Sequence, residues 1–127
     1  MSRGREIERK ILRLLHGGKT RSHLTEIHGH FVRHGLHQSN QILAHFVSVC
    51  ASLHRVPYAA RLFAQTHNPN ILLFNAIIKA HSLQPPFHTS FSFFSLMKTR
   101  AISPDEYTLA PLFKSASNLR HYLLGGC

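Results

Sequence analysis

The sequence predicts an all-α fold made of helical hairpins that follow one another along the chain. Apolar residues recur at helical spacing in seven segments, which are separated by glycines, prolines or capping residues. None of these segments shows the strict alternation of apolar and polar residues that is typical of a half-buried strand. Parts of the chain also match other parts at offsets of 31 and 35 residues, which indicates a repeat protein.

The first two predicted helices are separated by a pair of glycines. An apolar run at helical spacing ends at Gly17-Gly18, and a second helix begins near Ser22. We expect this second helix to end at Gly35, because glycine readily adopts the left-handed conformation of a helix C-terminus. The apolar residues assigned to these helices are Ile7, Ile11, Leu12, Leu14 and Leu15 in the first, and Leu24, Ile27, Phe31 and Val32 on one side of the second.

Capping residues and a proline mark the third and fourth helices. Ser39 or Asn40 can cap the third helix through a side-chain oxygen. Pro57 fits the first turn of the fourth helix, because the N–H that proline lacks would be unpaired there in any residue. The fourth helix is expected to end at Asn68-Pro69. The assigned apolar residues are Ile42, Leu43, Phe46, Val47 and Cys50, then Tyr58, Leu62 and Phe63.

Prolines delimit the last three predicted helices. The fifth stops at Pro85-Pro86, and the sixth stops before Pro104. The seventh begins near a Thr108 cap, which makes Pro111 the third residue after the cap, where it removes no intrahelical donor. The apolar residues are Leu72, Leu73, Phe74, Ile77 and Ile78 in the fifth helix, and Phe87, Phe91, Phe93, Phe94, Leu96 and Met97 in the sixth.

The internal repeat suggests how these helices are arranged. Pro69 and Pro104 lie 35 residues apart, and each precedes an apolar helix start. Residues 43–47 match residues 74–78 at an offset of 31. A single hairpin cannot bury its apolar side alone, so neighbouring hairpins have to complete the core. The predicted architecture is therefore an α-solenoid of helix-turn-helix units.

Charge is the unusual feature of the composition. Fifteen Lys and Arg residues against five Asp and Glu give a formal net charge of +10, and eight of the fifteen lie in the first 33 residues. Such a surplus favours a polyanionic partner, nucleic acid before an anionic membrane. Glu6 and Glu8 interrupt the basic N-terminal run, so it is a weak match to a transit peptide. No apolar run approaches the ~20 residues of a membrane span, and no membrane partner is predicted.

The chain offers little for metal or thiol chemistry. His30 and His34 have the helical i, i+4 spacing of metal ligands, and His37 follows, but no Asp, Glu or Cys completes a ligand set. We therefore predict no metal and no cofactor. Two cysteines make no disulfide framework, which favours a reducing compartment. Cys50 and Met97 are interpreted as core residues.

The last complete unit resembles a known repeat family. Its first helix reads NILLFNAIIKAH from residue 70, and its second reads SFSFFSLMKTRAISPD to residue 105. Both are similar to the pentatricopeptide repeat, whose consensus is "-YN-LI-A" followed by "-LF--M---G--PD"; Ala101 stands where that family has a glycine. By this resemblance the chain divides into a basic tail (1–4), a long unit (5–39), a short unit (40–70), a standard unit (71–105) and an incomplete long unit (106–127).

The resemblance implies a fold and a function. The fold would be a right-handed superhelical array of antiparallel helix pairs, similar to tetratricopeptide solenoids. Alternating long, short and standard units are typical of the plant subclass that acts in organelle RNA editing, so the implied partners are a single-stranded organelle transcript and proteins of the editing complex. The chain lacks the His-x-Glu and Pro-Cys-x-x-Cys signature of a cytidine deaminase, and we expect RNA binding in editing, modification or processing without catalysis and without a small-molecule substrate. The implied location is the mitochondrion or the chloroplast, with the mitochondrion favoured.

The resemblance also assigns roles to individual residues, since each unit reads about one base through two or three side chains. Asn75 would meet the base edge and Asp105 would orient its amide, a pair that favours uracil over cytosine in the family. Without the resemblance, these two residues would be interpreted as an exposed polar residue and a helix N-cap. The residues assigned to RNA binding are Asn75, Asp105, the base-holding Leu72 and Tyr107, the weakly discriminating Ala44 and Asn70 of the short unit, and the phosphate-neutralising Lys79.

Two other functions fit parts of the sequence. A scaffold similar to tetratricopeptide proteins would use the same hairpins to hold a peptide, although its units have 34 residues and a different signature. A basic amphipathic segment in residues 1–34 could instead bind a membrane surface. Stacking of hairpins already accounts for the apolar residues of that segment, and the Pro-Asp that closes the 35-residue unit disfavours the scaffold.

Overall fold

All regular secondary structure in the described part of the chain is α-helical. A computed structural model describes Arg9 and residues 21–33, 35–36 and 38–125, and these residues contain six helices and no strand. The helices are α1 (Arg21–Arg33), α2 (Asn40–Ser52), α3 (Val56–Ala64), α4 (Ile71–Ser82), α5 (Thr89–Thr99) and α6 (Glu106–Leu123). The predicted fold class is therefore confirmed. The first predicted helix apart from Arg9, the basic tail, His34 and His37 lie outside the described residues.

The helices are packed in two compact units. One unit ends at Asn68 and the other begins at Pro69. In the first unit α2 packs against α3, and in the second α4 packs against both α5 and α6. These packed helix pairs are the building blocks of an α-solenoid.

Local chemistry sets where the helices of the first unit begin. The Ile42 N–H donates to the Ser39 hydroxyl at 3.4 Å, so Ser39 is the cap of α2. Asn40 has another role, because its side-chain amide donates to the Asn68 carbonyl at 3.1 Å. Pro57 lies in the first turn of α3, as predicted.

Three helices end in the same hydrogen-bonded motif. At Gly35 the backbone turns left-handed (φ +70°), and the next N–H, from Leu36, reaches back to the Phe31 carbonyl at 2.7 Å. This arrangement is a Schellman motif, and it confirms the predicted end of the second helix. The same motif occurs at two non-glycine residues, His54 (φ +58°) and Ala101 (φ +59°).

Aromatic rings hold the first unit together. Phe31 of α1 and Phe46 of α2 are fully buried and meet edge to face, with ring centroids 5.0 Å apart. His28 of α1 bonds the Tyr58 hydroxyl of α3 at 2.9 Å, which ties α1 to α3. The other buried apolar side chains are Leu24, Ile27, Ile42, Leu43, Ala44, Val47, Cys50, Val56, Ala59, Leu62 and Phe63.

In the second unit α4 supplies most of the core. Its fully buried side chains include Phe74, Ile77 and Ile78, and Met97 of α5 is buried as predicted. Two buried hydroxyls link α5 to α6, because Ser90 and Ser115 form a hydrogen bond of 2.6 Å. The core also contains Leu73, Ala80 and Leu112.

The predicted apolar position of Val32 is wrong. Val32 is 57% exposed, because it lies about 100° around the helix from Phe31, outside the stripe formed by Leu24, Ile27 and Phe31. The apolar side chains of α5 other than Met97 were assigned to a helix and not to the core, and they are only partly buried. These partly buried residues are Phe91, Phe93, Phe94 and Leu96.

Three predicted boundaries also differ from the structure. α3 ends at Ala64, before Asn68-Pro69, and α5 begins after Phe87. α6 begins at Glu106, so its cap is Asp105 and not Thr108. Pro111 consequently lies inside α6, where it cannot donate to the carbonyl four residues earlier.

Candidate functional site

The first wall of the candidate site is one face of α4. Asn70 begins this helix as its N-cap, accepting the Leu73 N–H at 3.1 Å. Leu72, Asn75 and Lys79 then follow at spacings of three and four residues, so they share one face. Leu72 is 48% exposed, Lys79 is exposed and Asn75 is partly buried.

The second wall is the first turn of α6. Asp105 caps this turn by accepting the Thr108 N–H at 3.1 Å, and the Thr108 hydroxyl accepts the Asp105 N–H at 3.1 Å in return. This reciprocal pair is a capping box, which fixes the entry into the helix. Between the two residues Tyr107 points outward and is 69% exposed, whereas Thr108 is fully buried.

A side-chain network joins the two walls. The Asn75 amide nitrogen donates to Oδ1 of Asp105 at 3.1 Å, across 30 residues of sequence. The Thr108 hydroxyl donates to Oδ1 of Asn75. Both polar atoms of the Asn75 amide are therefore held by side chains at the start of α6.

Asp105 is an ionised acceptor in this network. Desolvation tends to raise the pKa of the Asp105 carboxyl, but hydrogen bonds from Asn75, Thr108 and the Tyr107 backbone together hold this pKa below its ordinary value. A carboxylate has no proton to donate. The group facing it must be a donor, which identifies the atom of Asn75 next to Asp105 as the nitrogen.

An open cleft lies beside the network, between α4 and α6. Its volume is about 320 Å³, and Lys79 and Lys114 both line it together with the ring of Tyr107. The remaining lining residues are Ser82, Leu83, Ala110 and Pro111, so every lining side chain is neutral or basic. Such a cleft suits an anionic group next to an aromatic or apolar one.

The two residues assigned to the short unit have different surroundings. Ala44 lies on α2 in the first unit and is 7% exposed. Asn70 lies in the second unit, where its side-chain oxygen caps α4. An alanine has no polar side-chain atom, so it offers no hydrogen bond to a ligand.

Sequence reasoning missed Thr108 as a member of the site. It placed this residue as the cap of the last helix, but the cap is Asp105 and Thr108 is the third residue of the helix. Part of the signal was present, because Asp is a preferred N-cap residue and a capping box pairs the cap with a polar side chain three residues later. What could not be read from the pattern is the bond from Thr108 to Asn75, which spans 33 residues.

The described residues give no sign of a metal or thiol centre. They contain no group of three His, Cys, Asp or Glu side chains that could hold a metal ion. Cys50 is fully buried, and desolvation raises the pKa of its thiol to about 12, although Arg55 partly opposes the effect. Its assignment as a core residue is therefore confirmed. None of the described helices is both long and apolar enough to cross a lipid bilayer.

Comparison with curated proteins identifies relatives in one family. A pentatricopeptide repeat-containing protein of Arabidopsis thaliana is 57% identical over 122 residues, which cover 96% of this chain and 25% of the relative. A second from that plant is 30% identical over 95% of the chain and 23% of its own length. A third, named as chloroplastic, is 27% identical over 90% of the chain and 16% of its own length. The chain thus spans a quarter or less of these relatives. No protein-family model matches it.

Proposed function

Because the homologues of this chain are pentatricopeptide repeat-containing proteins, we propose that it binds single-stranded RNA and recognises one base through Asn75 and Asp105. The observation that carries the proposal is the direct hydrogen bond between these two side chains, 3.1 Å long. The bond fixes the Asn75 amide on the face of α4 that also exposes Leu72. The carboxylate in this bond belongs to Asp105, two residues before the exposed Tyr107.

The free hydrogen-bonding capacity of Asn75 suits the edge of a pyrimidine. An amide has two N–H donors and two acceptor lone pairs, and the network occupies one of each. One donor and one acceptor remain for a base, and the family resemblance favours uracil over cytosine. Leu72 and Tyr107 would hold the base between them, which is worth roughly 1–3 kcal/mol per stacked base.

The cleft gives the RNA backbone a place beside the base. A phosphodiester is a compact anion, and two basic residues, Lys79 and Lys114, line one cavity of about 320 Å³. The spacing of these lysines, 35 residues, equals the length of the standard unit. We assign to them neutralisation of the phosphate that follows the recognised base. The short unit, with Ala44 and Asn70 at the corresponding places, would discriminate bases weakly.

The cellular role we propose is non-catalytic. The chain would take part in RNA editing, modification or processing of an organelle transcript, with other proteins of an editing complex supplying any chemistry. We also propose that the chain is divided into repeat units at 5–39, 40–70, 71–105 and 106–127. These units would place it in the plant subclass with alternating unit lengths. Both mitochondrion and chloroplast fit; one relative is named chloroplastic.

The test is binding of fluorescent RNA decamers by the 127-residue chain. Asn75→Ala should weaken binding to a uridine decamer about three- to tenfold, because a base-facing donor and acceptor are lost, and should change binding to a cytidine decamer less. The matched control is Asn118→Ala, which removes another asparagine amide of the second compact unit, one that bonds the Ser82 carbonyl. If neither RNA binds, or if duplex DNA binds equally well, the proposal is wrong. If both variants weaken binding alike, base recognition by Asn75 is wrong.

A further inference from the structure

The Thr108 hydroxyl occupies the centre of the network that holds Asn75. Thr108 is fully buried, and its oxygen contacts three polar atoms of two other residues. It accepts the Asp105 N–H at 3.1 Å, it lies 3.1 Å from Oδ1 of Asp105, and it donates to Oδ1 of Asn75. A hydroxyl has one proton and two lone pairs. Oδ1 of Asp105 already accepts from the Asn75 amide and from the Thr108 N–H, whereas Thr108 is the donor to Oδ1 of Asn75, so we assign the single proton to the bond with Asn75.

The network distinguishes the two orientations of the Asn75 amide. In the observed one, the nitrogen donates to the Asp105 carboxylate and the oxygen accepts from Thr108. A half-turn of the amide would place the Asn75 oxygen against the Asp105 carboxylate, acceptor facing acceptor. It would also remove the Asn75 acceptor of the Thr108 proton, which would have to turn to Oδ1 of Asp105, 3.1 Å away. Asp105 therefore fixes the nitrogen, and Thr108 fixes the oxygen.

The orientation matters because the two pyrimidines differ by an exchange of donor and acceptor. On the Watson–Crick edge, uracil presents the O4 acceptor next to the N3–H donor, and cytosine presents the N4–H donor next to the N3 acceptor. A freely turning amide can satisfy either edge by exchanging its own donor and acceptor. An amide held in one orientation satisfies one edge and places like groups against the other.

We propose that Thr108 is a positioning residue that sets base specificity at Asn75 by holding the amide in one orientation. The proposal rests on the proposed function, because it requires that Asn75 faces a base. It extends that function by one residue of α6, so that the recognition site at Asn75 includes the Thr108 hydroxyl.

The test compares two variants by the ratio of affinities for uridine and cytidine decamers. Thr108→Val keeps the shape of the side chain but removes the hydroxyl, and the ratio should fall about two- to tenfold, the range that one hydrogen bond supplies. Thr108→Ser keeps the hydroxyl, and the ratio should stay within twofold of the unmodified chain. The matched control is Thr99→Val, which removes a hydroxyl that bonds only the Ser95 carbonyl of its own helix.

The outcomes separate this proposal from a purely structural role. Loss of the capping box in Thr108→Val would lower stability and both affinities together, whereas the proposal predicts a change in their ratio. An unchanged ratio in a folded Thr108→Val chain that still binds RNA would overturn the proposal and leave RNA binding intact. An unmodified chain that binds both decamers equally would overturn it as well.

A measurement without any variant keeps the proposal falsifiable if Thr108→Val does not fold. The order parameter of the Asn75 side-chain amide can be measured by NMR relaxation in the unmodified chain, without RNA. An amide held at both ends should be about as rigid as the backbone of its helix, with an order parameter of roughly 0.85. A mobile Asn75 amide, with a value below about 0.6, would overturn the proposal even if RNA binds.

Discussion

The amide of Asn75 shows how much depends on a single side chain and its partners. Its nitrogen and oxygen both have fixed neighbours on another helix, Asp105 and Thr108. A partly buried amide without partners would cost free energy, and one with a single partner could turn. The network therefore leaves one donor and one acceptor in fixed positions, which is what a base-reading side chain needs.

Ala101 has a backbone conformation that alanine does not favour. It closes α5 with φ +59°, a conformation in which Cβ crowds the neighbouring carbonyl oxygen. The Ile102 N–H nevertheless bonds the Met97 carbonyl at 3.1 Å, so the helix ends in the same motif as at Gly35. The strain is local to the alanine.

We predict that Ala101→Gly raises the free energy of unfolding by about 1 kcal/mol, because glycine adopts positive φ without the Cβ penalty. Chemical denaturation followed by circular dichroism would measure the change. Ala116→Gly is the control, since it makes the same substitution inside α6, where glycine should lower stability by about 1 kcal/mol. A loss of stability in Ala101→Gly would contradict the assignment of strain.

At the scale of elements, α6 is unusual for having a proline in its interior. Pro111 is the sixth residue of the helix and has no N–H for the Tyr107 carbonyl, four residues earlier. Tyr107 is 69% exposed, so water can reach this part of the helix. The interruption lies beside the cleft, which Pro111 itself lines.

We predict that Pro111→Ala stabilises the chain by about 1–3 kcal/mol, because it restores an intrahelical hydrogen bond and removes the clash of the proline ring. Thermal denaturation would show a higher Tm. Pro57→Ala is the matched control, because Pro57 lies in the first turn of α3, where its missing N–H costs nothing. Equal shifts for the two variants would show that the position of the proline in its helix is not the cause.

At the scale of the whole molecule, the net charge of +10 is the property most relevant to an RNA partner. Charge alone gives attraction without sequence preference, and it weakens as salt increases. The arrangement of charge adds direction, because Lys79 and Lys114 line one cleft while Lys98 lies over the Phe94 ring on α5, 5.6 Å from its centroid. These lysines have the same charge but different surroundings.

We predict that replacing both Lys79 and Lys114 by Gln makes the dependence of log Kd on log salt shallower by about 0.7 to 1.4, the effect of one or two phosphate contacts on a single strand. Binding to a uridine decamer between low and moderate salt would measure the slope. The control is a double Lys98→Gln and Arg100→Gln variant, which removes the same charge from the end of α5. A similar change of slope in both variants would show that net charge, and not the cleft, governs binding.

The sequence by itself determined the helical class, most helix starts and ends, and the identity of Asn75 and Asp105 as candidates. The helical features are local, because a cap, a proline or an apolar stripe acts within one or two turns of the chain, whereas the two candidates came from the family resemblance. Even so, local reasoning placed the start of α6 at Thr108, because either Asp105 or Thr108 can cap a helix. It also assigned Val32 to the apolar side of its helix.

Only the tertiary structure decided which side chains meet. The bond from Asn75 to Asp105 and the bond from Thr108 to Asn75 span 30 and 33 residues, and they exist because α4 packs against α6. No pattern within a few residues specifies such contacts, since they depend on how two separate helices bury their apolar faces against each other. The packing of α4 on α6 thus joins Asn75 of α4, the cap Asp105 and the third helical residue Thr108 in one hydrogen-bonded network.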